Sequence, residues 1–113
     1  MEKTAIINAL AALAHETRLD IFRHLVEVGP EGEPAGIIGG HFGLPAATLS
    51  FHLSQMRQAG LVASRREGRS IIYAADFASM NALIGYLTEN CCGGQAADCI
   101  TPVCDIELET ERA

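Results

Sequence analysis

Apolar residues recur at helical spacing through residues 4–28, first as Ile6, Leu10 and Leu13 and then as Leu19, Phe22, Leu25 and Val26. A break near His15 divides this stretch into two helices, either with Thr17 capping the second or with a short turn at His15-Glu16. Gly29-Pro30-Glu31-Gly32-Glu33-Pro34 then ends the pattern. Residues 35–42 carry Ile37, Ile38 and Phe42 and predict a short helix. Gly36, Gly39 and Gly40 weaken it by about 1 kcal/mol each relative to alanine, so tertiary packing must hold it. After a tight turn at Gly43-Leu44-Pro45, residues 46–59 place Leu49, Leu53 and Met56 on one helical face, and Gly60 stops the helix.

Residues 61–66 and 69–74 read as two β-strands joined at Glu67-Gly68, with Val62, Ile71, Ile72 and Tyr73 as strand formers and arginines near the tip. Residues 77–90 return to a helix with Met80, Leu83, Ile84 and Leu87 on its apolar stripe and Tyr86 beside it. Beyond Asn90 the chain is rich in glycine and acid and lacks large apolar residues until Ile100, the signature of a loop or tail that a ligand puts in order. The pattern therefore predicts a mainly α chain with a small β-hairpin. Residues 1–90 form one domain and residues 91–113 a cysteine-containing acidic tail.

A length of 113 residues fits a single domain near the size at which oligomerisation assists stability. The polar residues Glu2, Lys3 and Asn8 interrupt the first apolar run, so neither a secretory signal nor a membrane span is expected, and the protein is expected to be cytoplasmic. The formal charge of −6 argues at first against a nucleic-acid partner. Its distribution reverses that: Asp98, Asp105, Glu107, Glu109 and Glu111 lie in the tail, whereas residues 57–69 hold Arg57, Arg65, Arg66 and Arg69 against Glu67 alone.

Two helices joined by a short glycine-containing turn, the second with a polar face, describe a helix-turn-helix, and the hairpin that follows makes it winged. The core face of the second helix leaves Thr48, Ser50, Phe51 and Gln55 for a groove of double-stranded DNA. Thr48, Ser50 and Gln55 suit base edges or phosphates, and Phe51 suits a thymine methyl. Arg57, Arg65, Arg66 and Arg69 suit phosphates or a minor groove. His52, flanked by core leucines, reads as a packed or hydrogen-bonded histidine rather than a base reader. His15, His24 and His41 read as scattered and solitary, without ligand spacing.

All four cysteines, Cys91, Cys92, Cys99 and Cys104, fall in the last stretch of the chain. Neighbouring α-carbons stand about 3.8 Å apart, closer than the roughly 4.4–6.8 Å of an ordinary disulfide, so Cys91 and Cys92 are poorly placed to bridge to each other. They suit a soft metal ion, with a third thiolate returned by a short loop. A disulfide redox switch and a four-thiolate zinc or cadmium site remain open alternatives. A thiol enzyme such as an arsenate reductase is disfavoured, because the thiols lie in an acidic tail without a phosphate-cradling loop; no enzymatic activity is expected.

The segments LAHETRLDIFRHL, LPAATLSFHLSQMRQAGLV and REGRSIIYA resemble the ArsR/SmtB family of metal-responsive winged-helix repressors over residues 9–90. That resemblance implies a homodimer built on the first and last helices, which binds an inverted-repeat operator when metal-free and releases it when loaded. Two family features are missing. The stretch Glu33-Pro34-Ala35-Gly36 has no thiol where similar arsenic sensors carry Cys-Val-Cys, and residues 77–90 have no histidine where zinc-sensing relatives carry ligands. Cys91, Cys92 and Cys99 resemble the C-terminal three-thiolate sites of some arsenic(III)-responsive members, with Cys104 as a candidate fourth ligand and antimony(III) as a candidate second inducer.

Overall fold

The computed structural model describes residues 1–94. Helices α1 (Lys3–Leu13) and α2 (Glu16–Val28) lead into a two-residue strand β1 (Glu33–Pro34). Helices α3 (Ala35–Phe42) and α4 (Ala46–Gln58) follow, then strands β2 (Val62–Glu67) and β3 (Ser70–Ala75), helix α5 (Phe77–Leu87) and a 3₁₀ turn at Cys91–Gly94. The architecture is mainly helical with a small antiparallel sheet, as the pattern predicts. No helix among the described residues is long and apolar enough to cross a membrane.

One contiguous core joins the helices to the base of the sheet. Helix α2 contributes Ile21, Phe22 and Leu25, α3 contributes Ile38, α4 contributes Leu49, Leu53 and Met56, and the hairpin contributes Leu61, Val62 and Ala75. These positions repeat every three or four residues along each helix, so one face of each is buried and the other left to solvent. The glycine-weakened α3 is held by Ile38, which is fully buried. On α1 and α5, Ile7, Leu10, Tyr86 and Leu87 remain exposed.

The sheet has three strands rather than the expected two, in the order β1-β3-β2. Strand β1 pairs Glu33 with Tyr73 and Pro34 with Ile72. Gly32 makes the approach feasible: at φ +74° a Cβ would stand 2.5 Å from the Tyr73 carbonyl oxygen, a distance no side chain tolerates. Strands β2 and β3 each start and end one residue later than the pattern predicts. The register closes on Glu67↔Ser70, leaving Gly68 and Arg69 as a two-residue turn, with Gly68 at φ +62°.

The helix ends differ from expectation in two places. Thr17 does not cap α2; a short break at Ala14-His15 separates the two helices, and His15 caps the second, its Nδ1 accepting the Thr17 N–H at 3.2 Å. Helix α5 stops at Leu87 rather than Asn90. Thr88 turns its hydroxyl back onto the Ile84 carbonyl at 2.8 Å, and Asn90 adopts φ +58°, which a right-handed helix cannot continue. At the other end of α5, the Asp76 carboxylate accepts the Ser79 N–H at 3.0 Å as an N-cap.

His24 and His41 are not solitary. Their rings stack with centroids 4.4 Å apart, and His24 Nε2 lies 2.7 Å from the Glu33 carboxylate, so α2, β1 and α3 meet through a polar contact. Local spacing cannot reveal a pair drawn together by the fold.

Candidate nucleic-acid interface

Helix α4 turns Leu49, Leu53 and Met56 inward, and this fixes which residues face out. Thr48, Ser50, Phe51 and Arg57 are exposed, Phe51 at 57%. An aromatic ring that open on an otherwise polar helix face is available for an apolar contact such as a thymine methyl. Gln55 stands apart from these residues. It is half-buried and lines a groove of about 340 Å³ with Asn8, Ala11, Ala12, Arg18 and Gln58, on the side of α4 that faces α1.

A larger groove of about 710 Å³ runs between α3, α4 and β3. Ser50 of α4 and Arg69 of the wing turn line it together, with Gly36 and Gly40 forming a side-chain-free wall along α3. Thus the fold brings one residue from the helix and one from the wing to the same concavity. Among the described residues, no ion pair engages Arg57, Arg66 or Arg69. Arg65 differs: its Nε donates to the Glu67 carboxylate at 2.7 Å and its Nη2 to the Glu31 carbonyl at 3.0 Å. Arg65 therefore braces the wing against the α2–β1 loop, leaving Arg66 and Arg69 as the less encumbered cations.

His52 is buried at 7% exposure, in keeping with a packed histidine. Its ring takes an Arg18 contact at 3.3 Å, and its pKa is lowered from the ordinary 6.5, chiefly by burial and then by His15 and Arg18. Arg18 is the residue that sequence reasoning missed. It lies 34 positions from its partner, and neither residue carries a local signal of the contact.

The cysteine tail is described only at its start. Cys91 is half-buried, its N–H donating to the Thr88 carbonyl at 3.0 Å, and it is a disulfide cysteine whose partner is not among the described residues. Cys92 is exposed and holds φ +56°, a conformation that L-residues rarely adopt. Cys99 and Cys104 lie outside the described residues. Among those described, no group of three His, Cys, Asp or Glu side chains is arranged to hold a metal ion.

A helix-turn-helix domain family matches residues 13–65, from the end of α1 into β2. The HTH-type transcriptional regulator YgaV of Escherichia coli (strain K12) is 36% identical over 83 residues, covering 74% of this chain and 82% of YgaV. Among solved structures, HlyU from Vibrio cholerae N16961 superposes with a TM-score of 0.64 at 30% identity, over 81% of this chain and 99% of HlyU. Its reduced form gives 0.60 at 29% identity, over 79% and 90%. The homodimeric winged helix-turn-helix DNA-binding domain of a possible ArsR-family regulator from Mycobacterium bovis gives 0.61 at 28% identity, over 77% and 81%. With its helix pair, arginine-bearing wing and these relatives, the chain belongs to the helix-turn-helix transcriptional regulators of ArsR-like winged-helix fold.

Proposed function

We propose that this regulator is a homodimeric repressor. It binds an inverted-repeat operator through α4 and the wing, and leaves it when Cys91, Cys92 and Cys99 take trivalent arsenic, with antimony(III) as a second ligand of the same chemistry. The observation that carries DNA reading is the convergence of Ser50 and Arg69 on one groove beside the exposed Thr48 and Phe51. Dimerisation is supported by the open Ile7, Leu10, Tyr86 and Leu87 on α1 and α5. Burying such side chains stabilises association by about 1.5–3 kcal/mol each at most, and the M. bovis relative is a homodimer.

The inducer assignment rests on the chemistry of the donors. Arsenic(III) exchanges its hydroxyls for thiols with loss of water, and thiolates suit soft ions. The described residues supply two of the three sulfurs, and Cys91 must first be reduced, because a disulfide sulfur offers no thiolate. Closing the tail at the end of α5 would act on the dimer face and hence on the spacing of the two recognition helices. Effector and operator then weaken each other's binding by the same factor.

The disulfide at Cys91 favours a second reading, in which the tail is a redox switch. Peroxide would oxidise two thiols to a disulfide and be reduced to water, with no metal required. One titration separates the two readings. A duplex selected from a random library by the wild-type protein is challenged with arsenite under reducing conditions, and with peroxide in metal-free buffer. Release by arsenite, lost in Cys91→Ser, Cys92→Ser or Cys99→Ser, supports the arsenic sensor. Indifference to stoichiometric arsenite with release by peroxide replaces it by the redox switch. The same titration with cadmium and zinc, in wild type and Cys104→Ser, distinguishes a four-thiolate site.

A further inference from the structure

His52 sits in the middle of α4 and is the buried polar side chain of the described core. Arg18 Nη1 lies 3.3 Å from its Nδ1. A guanidinium has donors and no acceptor, so Nδ1 accepts and the neutral ring keeps its proton on Nε2. The same guanidinium donates Nε–H to the Ala12 carbonyl at 2.7 Å. Ala12 lies in the last turn of α1, where helix carbonyls have no partner within the helix. The ring of His15, the cap of α2, stands 4.9 Å from that of His52. One arginine thus fastens the end of α1 and the start of α2 to the centre of α4.

We propose that Arg18 is a positioning residue for DNA recognition: joining the Ala12 carbonyl to His52 Nδ1, it fixes the angle of α4 relative to α1, and this clasp closes only on neutral His52. The proposal rests on α4 being the DNA-reading helix. A protonated ring carries N–H groups at both nitrogens, so Arg18 would lose its acceptor and meet a second cation at hydrogen-bond distance. The charged or titratable groups whose fields reach His52 are His15 and Arg18, and both oppose its protonation, as burial does. The core that α1, α3 and β2 share with α4 is apolar, with Ala9, Ile38 and Val62 in it, and no carboxylate is among the groups that act on His52. Phe51 and Thr48 lie one and four residues before His52, so a rotation of α4 about its axis moves both relative to a DNA groove.

The test uses the full chain as wild type, Arg18→Ala, Arg18→Lys and His52→Asn, with a duplex selected from a random library by the wild-type protein. At about pH 7.5, Arg18→Ala is expected to lose about tenfold in affinity, the loss that follows if the freed α4 holds the binding-competent angle about one time in ten. Arg18→Lys, with a single point of donation, should recover part of that loss. His52→Asn keeps an acceptor at the Nδ1 position and cannot titrate. It should bind within about twofold of wild type at neutral pH and hold that affinity as pH falls through the titration of the native ring, where the wild type weakens. An NMR titration of the His52 ring reads the clasp without DNA, and its midpoint should move up in Arg18→Ala. Wild-type binding by Arg18→Ala with an unmoved ring titration overturns the clasp, as does a parallel loss with acid in wild type and His52→Asn. If the wild type selects no duplex, the DNA-reading role of α4 fails, and the positioning role with it, whatever the ring titration gives. Should Arg18→Ala not fold, the pH comparison of wild type with His52→Asn decides alone.

Discussion

Replacing Arg66 and Arg69 together by alanine removes two cations from each wing and four from a dimer. Neither is held in an ion pair among the described residues, and Arg69 lines the groove that Ser50 shares. If each arginine neutralises one phosphate, the dependence of log affinity on log salt becomes shallower by about 0.9 per contact, or about 3.6 for the dimer. Between roughly 50 and 200 mM salt the wild type would then lose about 150-fold more affinity than the double variant. Fluorescence anisotropy of a selected duplex across that range measures both slopes. Arg65→Ala serves as the internal comparison. Its guanidinium is already committed to Glu67 and the Glu31 carbonyl, so its slope should change by less than half as much as that of Arg66→Ala. An unchanged slope in a folded, dimeric Arg66→Ala/Arg69→Ala protein would falsify the placement of the wing on phosphates.

Two further outcomes concern stability. Leu53 is 1% exposed on the inner face of α4, so Leu53→Ala should cost about 2–5 kcal/mol in urea unfolding at fixed protein concentration; a loss below about 1 kcal/mol would mean that α4 is not anchored there. His52 has a lowered pKa in the fold, so as pH falls below the ordinary 6.5 the unfolded chain binds a proton that the native ring refuses. Its contribution to stability is therefore complete above that pH, declines as pH drops towards the native pKa, and levels off below it. Urea midpoints for wild type and His52→Asn should diverge in that acidic window, and parallel curves would show that the ring is not held neutral.

Helix α4 and the hairpin are legible in the sequence because their signals are local. Leu49, Leu53 and Met56 repeat at helical spacing, and Gly68 beside an alternating run marks a hairpin. What escapes is non-local. Strand β1 is two residues long and exists because Gly32 lets the chain approach Tyr73, a contact across 41 positions. The pairs His24 with His41 and Arg18 with His52 are assembled by packing between helices. Gln55 is polar and lies on the outward side of a simple helical projection, yet α1 covers that side. The arginines looked equivalent in sequence, and only their partners separate the bracing Arg65 from Arg66 and Arg69.

The short strand β1 has a mechanical consequence. Glu33 and Pro34 pair with the middle of β3, and Arg65 grips the Glu31 carbonyl, so the hairpin is riveted at mid-length to the segment that leaves α2. The part beyond that rivet is a short, stiff arm. Three residues at about 3.3 Å each, from Arg65 to Gly68, give it a length of roughly 10 Å. A swivel of about 10° at the rivet would move the turn by less than roughly 2 Å. Arg66 and Arg69 therefore travel with the body of the domain, and re-aiming them calls for the whole domain to turn.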